Sequence, residues 1–333
     1  MSLKNFLKHG VVSIALNAKG NPTEIPKEYC LGIAGKDYPA QTPRLWNAVF
    51  EQFGMKRRNI RLIANPGDVI YIFQELFLDP SYYGGDVGVG FKNIAGKYLS
   101  RLDPLAEAMG AINVVAREHN ALVGYNTDGE GFASSLEEIL TKKVKGLKGE
   151  RVMLLGAGGT TNAIAFALAK QGCSLIILNR TVVKAQELAE RLNKFFEDEV
   201  AEFGGRNLIG LKAPECGVIV SAIDDPHSPL DQYSALGPIS LPATPDDIAA
   251  NMEEATRIIA TLPKDTVICD VMLRKEETAT LRSAREAGLT TIDGMPMVLA
   301  QAIEAFWLVN RPELEADNHT KAEVAEIMRT TLQ

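Results

Sequence analysis

A two-domain α/β fold, with helices packed on largely parallel sheets, is predicted by three features of the sequence. From residue 29 onward, short apolar runs alternate with amphipathic stretches of helical spacing. That rhythm pauses at the Lys/Gly-rich run KKVKGLKGE, residues 142–150, and then restarts. Directly after the restart, the Gly-rich GAGGTTNA of residues 156–163 follows one apolar run and opens a helical one. Alternation of this kind indicates a doubly wound parallel sheet, and 333 residues suffice for two domains of ordinary size.

In chain order, VVSIAL reads as a strand and AKGNP behind it as a turn. YCLGIAG is a strand, and PRLWNAVFEQFG a helix opened by proline and closed by glycine. IRLIAN and VIYIFQELFLD repeat the strand–helix pair. DVGVGF is a short strand, DPLAEAMGA a helix entered through Asp-Pro, and INVVAR with ALVGYN a hairpin around REHN. GFASSLEEIL is a helix before the seam. Beyond the seam, RVMLLGAGG, a helix through IAFALAKQG, SLIILNR and a helix through KAQELAERLNKFF form one unit. NLIGL, GVIVSAI, TVICDVML and LTTID are further strand-like runs. Residues 224–263, Pro-rich and then helical, elaborate the same domain, and the helices MVLAQAIEAFWLV and KAEVAEIMRTTL follow.

The bulk numbers narrow the function. A net charge of −7 argues against nucleic acid or an anionic membrane as the partner. No stretch approaches the ~20 apolar residues of a membrane span, and VVSIAL is too short for a signal-peptide core. Four scattered cysteines (Cys30, Cys173, Cys216, Cys269) without a CxxC pair suit reduced thiols in a cytoplasmic protein, not zinc or disulfides. The four histidines are equally scattered, so no metal is expected. A small-molecule substrate and a monomer or homodimer are the expectation.

In GAGGTTNA, Gly156 permits a tight turn, Gly158 and Gly159 let backbone approach a pyrophosphate, and the helix N-terminus offers free amides. Thr161 stands where a strict GxGxxG has its third glycine, so the motif is incomplete. A second strand ends at Asn179, where NAD-selective proteins usually carry an acidic residue for the ribose hydroxyl. Here the chain reads NRTVVKA, and Arg180, Thr181 and Lys184 offer two cations and a hydroxyl to a 2′-phosphate. NADP is therefore expected over NAD. The plainer alternative is a Gly-rich turn beside ordinary surface cations.

With Lys92, NTDGEGF and GAGG…NRT in this order, the sequence resembles the shikimate dehydrogenase family from about residue 29 to about 309. GGDVGVGFK is similar to the family's GxNVTxPxK and aligns its catalytic lysine with Lys92. AINVV matches AxNT and gives Asn113 as a substrate-binding asparagine; YNTD is intact and gives Asp128 as the catalytic aspartate. DGMPMVLAQ matches DGxxMLxxQ, supplying Gly294 beside the cofactor and Gln301 on the substrate. The resemblance implies a substrate-binding and catalytic domain of residues 1–128 plus 296–333, an NADP-binding Rossmann domain of residues 129–295, and a cleft between them. It also implies interconversion of shikimate, quinate or an amino analogue and the corresponding ketone, in aromatic amino acid biosynthesis.

The departures from the family are specific. HSxSP, whose serines hold the substrate carboxylate, is replaced by PAQTP at 39–43, leaving Ala40 and Thr42. The threonine of NVT is Gly88 and its asparagine Asp86; the tyrosine of DxxY is Leu273; the arginine after GAGGxS is Asn162. Residues for hydroxyl chemistry are kept and those for the carboxylate are lost. Lys36, Tyr38, Gln41 and Thr42 are the candidates to replace them, alongside a substrate-facing Gly88.

Alcohol oxidation needs a group that takes the hydroxyl proton while hydride leaves, and reduction needs that proton returned. A lysine beside Val87, Val89 and Phe91 would be partly desolvated, which favours its neutral form. A carboxylate such as Asp128 would oppose that shift and fix the amine. Taken singly, Lys92 also reads as a strand-end surface charge, Asp128 as a helix cap, Asn113 as a turn residue and Gln301 as a helix-surface residue. Two rival functions stay open: reduction of another small carbonyl, and a non-catalytic NADP-binding sensor.

Overall fold

The computed structural model describes residues 12–15, 27–36, 40–141, 146–223, 231–239, 244–273 and 276–332. The expected AKGNP turn, Tyr38 and parts of the 224–263 elaboration lie outside the described residues. The chain divides into two compact units, Met1–Thr127 with Leu299–Gln333, and Asp128–Val298.

In the first unit, β1 (Val12–Ala15), β2 (Tyr29–Ala34), β3 (Arg58–Ala64), β4 (Tyr82–Asp86), β5 (Arg101–Leu102), β6 (Val114–Glu118) and β7 (Ala121–Tyr125) form one mixed sheet. Its order is β1-β3-β2-β4-β6-β7-β5, with β3-β2-β4 parallel and β6-β7 an antiparallel hairpin. The hairpin turns at His119, whose φ of 54° is the left-handed geometry such a short connection requires. Because side chains alternate along a strand, one sheet face presents Leu31, Ile33, Ile60 and Leu62. These pack with Ile72, Phe73 and Leu76 of helix Val69–Leu78.

The other face carries Cys30, Val114 and Ala116. It packs with Trp46, Val49 and Phe50 of helix Thr42–Gln52, and with Phe306 and Met328 from the C-terminal helices. Trp46 is fully buried, donates from Nε1 to the Ala302 carbonyl at 3.2 Å, and stands edge-on to Phe306 at 5.4 Å. This face is not all apolar. Arg57, Asn59 and Arg61 follow one another at period two and are 1%, 0% and 7% exposed. Arg57 is held by Asn310 and Glu313 and lies 3.3 Å from the centre of the Tyr83 ring.

In the second unit, β8 (Arg151–Leu155), β9 (Ser174–Leu178), β10 (Ala201–Gly204), β11 (Val218–Ser221), β12 (Val267–Asp270) and β13 (Thr290–Ile292) form an all-parallel sheet. The order β10-β9-β8-β11-β12-β13 is that of a doubly wound Rossmann sheet, reversing direction between β8 and β11. The helices, numbered along the whole chain, are α1 (Thr42–Gln52), α2 (Val69–Leu78), α3 (Pro104–Met109), α4 (Asp128–Thr141), α5 (Gly159–Lys170) and α6 (Val182–Phe196). Then follow α7 (Ile209–Lys212), α8 (Pro245–Thr261), α9 (Ala279–Glu286), α10 (Met295–Ala316) and α11 (Lys321–Leu332).

Three expected strands are corrected. DVGVGF is not a strand: β4 ends at Asp86, Val87 makes a lone bridge to Ile33, and residues 89–94 form a turn. Glycines at 88 and 90, the latter at φ 92°, break the extended run. NLIGL is helical turn, and the strand beside β9 is the preceding AEFG, whose short, half-exposed pattern carries no apolar run. TVICDVML stops being a strand at Asp270, where the carboxylate turns back to accept from the Thr278 hydroxyl and the Met272 amide. No helix among the described residues is long and apolar enough to cross a membrane.

Candidate active site

At the ends of β4, β6 and β7, three distant parts of the chain meet. The Asn113 carboxamide accepts from the Thr127 amide at 2.7 Å, and its Nδ2 donates to Thr127 Oγ1 at 3.0 Å and Gln301 Oε1 at 3.4 Å. Thr127 Oγ1 in turn donates to the Gln301 carbonyl at 3.2 Å. Asn113 and Thr127 are nearly inaccessible. A buried carboxamide with both ends satisfied fixes its own orientation, so this clasp locks α10 to the β6 and β7 ends. Thr127 immediately precedes Asp128, the half-buried first residue of α4.

Lys92 stands half-buried in the turn after β4, and its carbonyl accepts from the Ile112 amide at 2.9 Å. The same turn is pinned by Val87 N donating to Asn113 O and by Gly88 N donating to Ile33 O, both at 2.7 Å. Gly88 is buried, Val87 and Phe91 belong to the core of this unit, and Val89, expected to help cover Lys92, is instead 50% exposed. Thr42 is the half-buried first residue of α1, following Gln41 as cap.

Asp86, the last residue of β4, is the site's unusual member. Its carboxylate lies over Gly32, where a Cβ would come within 2.6 Å of Oδ1. Oδ1 is buried without a hydrogen-bond partner, and so are both polar atoms of the Asn59 carboxamide. Burial pushes the Asp86 carboxyl up to about 6, against the opposing pull of its own backbone, Asn59, Arg61 and Lys92.

The second unit presents a different kind of site. After β8, Gly156 takes φ 114°, a conformation side chains resist, and turns the chain beside Ala222 at the switch between β8 and β11. Gly158 caps α5 and Gly159 begins it; a Cβ on either would meet nothing within 4 Å. Both glycines are exposed, leaving open backbone amides at a twelve-residue helix N-terminus. That arrangement fits the pyrophosphate of a dinucleotide. Asn162, in place of an expected arginine, turns inward and accepts from Arg191 at 2.7 Å.

Past β9, Asn179 Nδ2 donates to the Thr181 carbonyl at 2.9 Å, and Thr181 caps α6. Arg180 and Lys184 are exposed. Arg206, which the sequence reading missed, donates to the Ala235 and Gly237 carbonyls. Burial, and then the neighbouring Arg180, hold its guanidinium down to about 10. Its place after β10 was hidden because that strand was not recognised. Gly294 is buried, and a Cβ there would come within 2.4 Å of the Val271 carbonyl. Leu273 is 49% exposed. Among the described residues, no cluster of His, Cys, Asp and Glu could hold a metal.

Comparison with known proteins gives a consistent result. A family profile described as shikimate / quinate 5-dehydrogenase matches residues 138–231. An NADP(+) shikimate dehydrogenase of Methanocaldococcus jannaschii is 30% identical, over 87% of this chain and 94% of the relative. One from Moorella thermoacetica is 33% identical, over 83% of this chain and 86% of the relative. A crystal structure of a shikimate dehydrogenase in complex with NADP+ superposes with a TM-score of 0.73 at 24% identity, covering 94% of this chain and all of that one.

Proposed function

This chain belongs to the shikimate and quinate dehydrogenase family, and on that premise we propose that it interconverts a ring hydroxyl and ketone on shikimate or a related cyclic polyol acid, such as quinate or an amino analogue. It is an NADP-dependent dehydrogenase acting on a CH–OH group. The observation that carries the substrate reading is the Asn113–Thr127–Gln301 clasp. It joins motifs up to 188 residues apart at the strand ends that also bear Lys92.

In this reading the unit Asp128–Val298 takes the cofactor and the other unit holds the substrate. Gly156, Gly158, Gly159 and Gly294 shape the cofactor's bed, and Asn179, Arg180, Thr181 and Lys184 receive its 2′-phosphate. The bound NADP supplies hydride acceptance or donation. Lys92 takes the hydroxyl proton during oxidation and returns it during reduction. Asp128 holds the amine in place, Asn113 and Gln301 orient neighbouring hydroxyls, and Thr42 and Gly88 border the remainder of the substrate.

Turnover of a panel of shikimate, quinate and uncharged ring polyols with NADP tests the proposal. Lys92→Ala should lower kcat on the best substrate by about 10²–10⁴-fold, the usual share of a general acid–base group, with the NADP KM unchanged. Unaffected turnover would remove the proposed proton carrier. A second reading, reduction of another small carbonyl compound, is favoured by Ala40 and Leu273 at positions where the family carries carboxylate-holding hydroxyls. A panel in which only non-acid substrates turn over would select it.

A further inference from the structure

We infer that Asp86 is a specificity-determining residue: it makes the strand-end site discriminate by charge, favouring a substrate group that donates a hydrogen bond toward β4 over one that presents a carboxylate there. The inference rests on the proposed dehydrogenase reading and deepens it.

The argument is one of placement. Arg61, Gly32 and Asp86 stand side by side on β3, β2 and β4. Arg61 is in register with Gly32, and the Ile33–Val87 bridge sets Asp86 beside it. Gly32 has no side chain, and the Asp86 carboxylate fills that space, 2.6 Å from where a Cβ would be. Only glycine at 32 therefore admits this rotamer. Arg61 is the buried cation of the row, donating to the Lys36 carbonyl at 3.3 Å, and Asp86 already opposes its charge. Oδ1 has no hydrogen-bond partner, although Asn59 lies close enough to favour the charged form.

The chain continues from Asp86 through Val87, whose amide binds the Asn113 carbonyl, into the turn that carries Lys92. Asp86 is thus fixed at the edge of the same patch, half-buried, with its Oδ1 short of donors. A substrate hydroxyl or ammonium there gains a charge-assisted hydrogen bond. A substrate carboxylate meets like charge in a poorly screened setting and at a position with no uncommitted buried hydroxyl in the Ala40 or Gly88 places. Discrimination arises from the repulsive element as much as from the attractive one.

The test compares kcat/KM, with NADP, for a cyclic polyol acid and its primary amide, which has the same ring and shape but no charge. In Asp86→Asn the acid-to-amide ratio should rise at least tenfold, mainly through the KM of the acid, with the NADP KM unchanged. A ratio within twofold of wild type overturns the inference while leaving the dehydrogenase reading intact. No turnover of either compound by the wild type overturns both. Should Asp86→Asn fail to fold, Asp86→Ser makes the same comparison with a smaller neutral side chain. The acid-to-amide ratio should again rise at least tenfold; a ratio within twofold of wild type counts against the inference.

Discussion

The two sheets prepare their strand ends in opposite ways. The parallel sheet of β8–β13 works through backbone: glycines at 156, 158 and 159 clear space and leave amides exposed, while the sheet itself is apolar through Val152, Leu154, Ile177 and Val220. The mixed sheet works through side chains, and it buries polar groups within its own faces: Arg57, Asn59, Arg61 and the Oδ1 of Asp86. A backbone-built site needs only local sequence and tolerates drift around it. A side-chain-built site depends on partners brought from far along the chain, and each buried charge makes it sensitive to the loss of one of them.

Removing one partner should sharpen this contrast most. Arg57→Ala leaves the buried Asn310 carboxamide without its donor and empties the face of the Tyr83 ring, while Glu313, with its side chain 43% exposed, can turn to solvent; about 2–3 kcal/mol of stability should be lost. Chemical denaturation measures it, and a loss below about 1 kcal/mol would mean that Arg57 contributes little. Gly158→Ala should behave in the reverse manner. Its Cβ meets nothing in the protein, so the melting temperature should stay near wild type while NADP affinity falls by about tenfold, from crowding where backbone must approach a phosphate. Equal NADP affinity would argue that the phosphate lies elsewhere.

The smallest effect is one of pH. Folded Asp86 keeps its proton up to about pH 6, whereas an unfolded aspartate releases it near 4, so the folded state binds more protons between those values. The stability this contributes is complete below about pH 4 and is lost as pH rises through 6. Asp86→Asn should therefore be more stable than wild type at pH 8, by about 1–3 kcal/mol, and similar to it at pH 4. Parallel melting curves across that range would show no crossover if the carboxylate were well solvated.

The same contrast explains what could be read from the sequence. GAGG after an apolar run, and NRT after the next, foretold turn, helix and cation positions, because each depends on a few adjacent residues. The doubly wound class followed from the strand–helix rhythm. The clasp of Asn113, Thr127 and Gln301 was legible only as separate motifs brought together by family resemblance, and Thr127 was not singled out. Arg206 was missed because β10 is a short edge strand with exposed Glu202 and Phe203 and no apolar signature. The row Arg61–Gly32–Asp86 depends on register between three strands, and no local pattern encodes register. DVGVGF, the run leading to Lys92, was given to a strand because its valines alternate; the glycines at 88 and 90 outweighed them.

The Arg57 clamp has a further consequence for how the chain matures. Its partners, Asn310 and Glu313, are 253 and 256 residues away, and Phe306 and Met328 complete the face beneath it. The unit Asp128–Val298 is continuous in sequence and can close as soon as it is synthesised, but the unit that begins first must wait for residues beyond 299. During synthesis, then, the earlier-made sheet is the later-finished one, with the apolar sides of Trp46 and Phe50 uncovered in the interval. Protease sensitivity of arrested nascent chains should persist in the first 127 residues until α10 and α11 emerge.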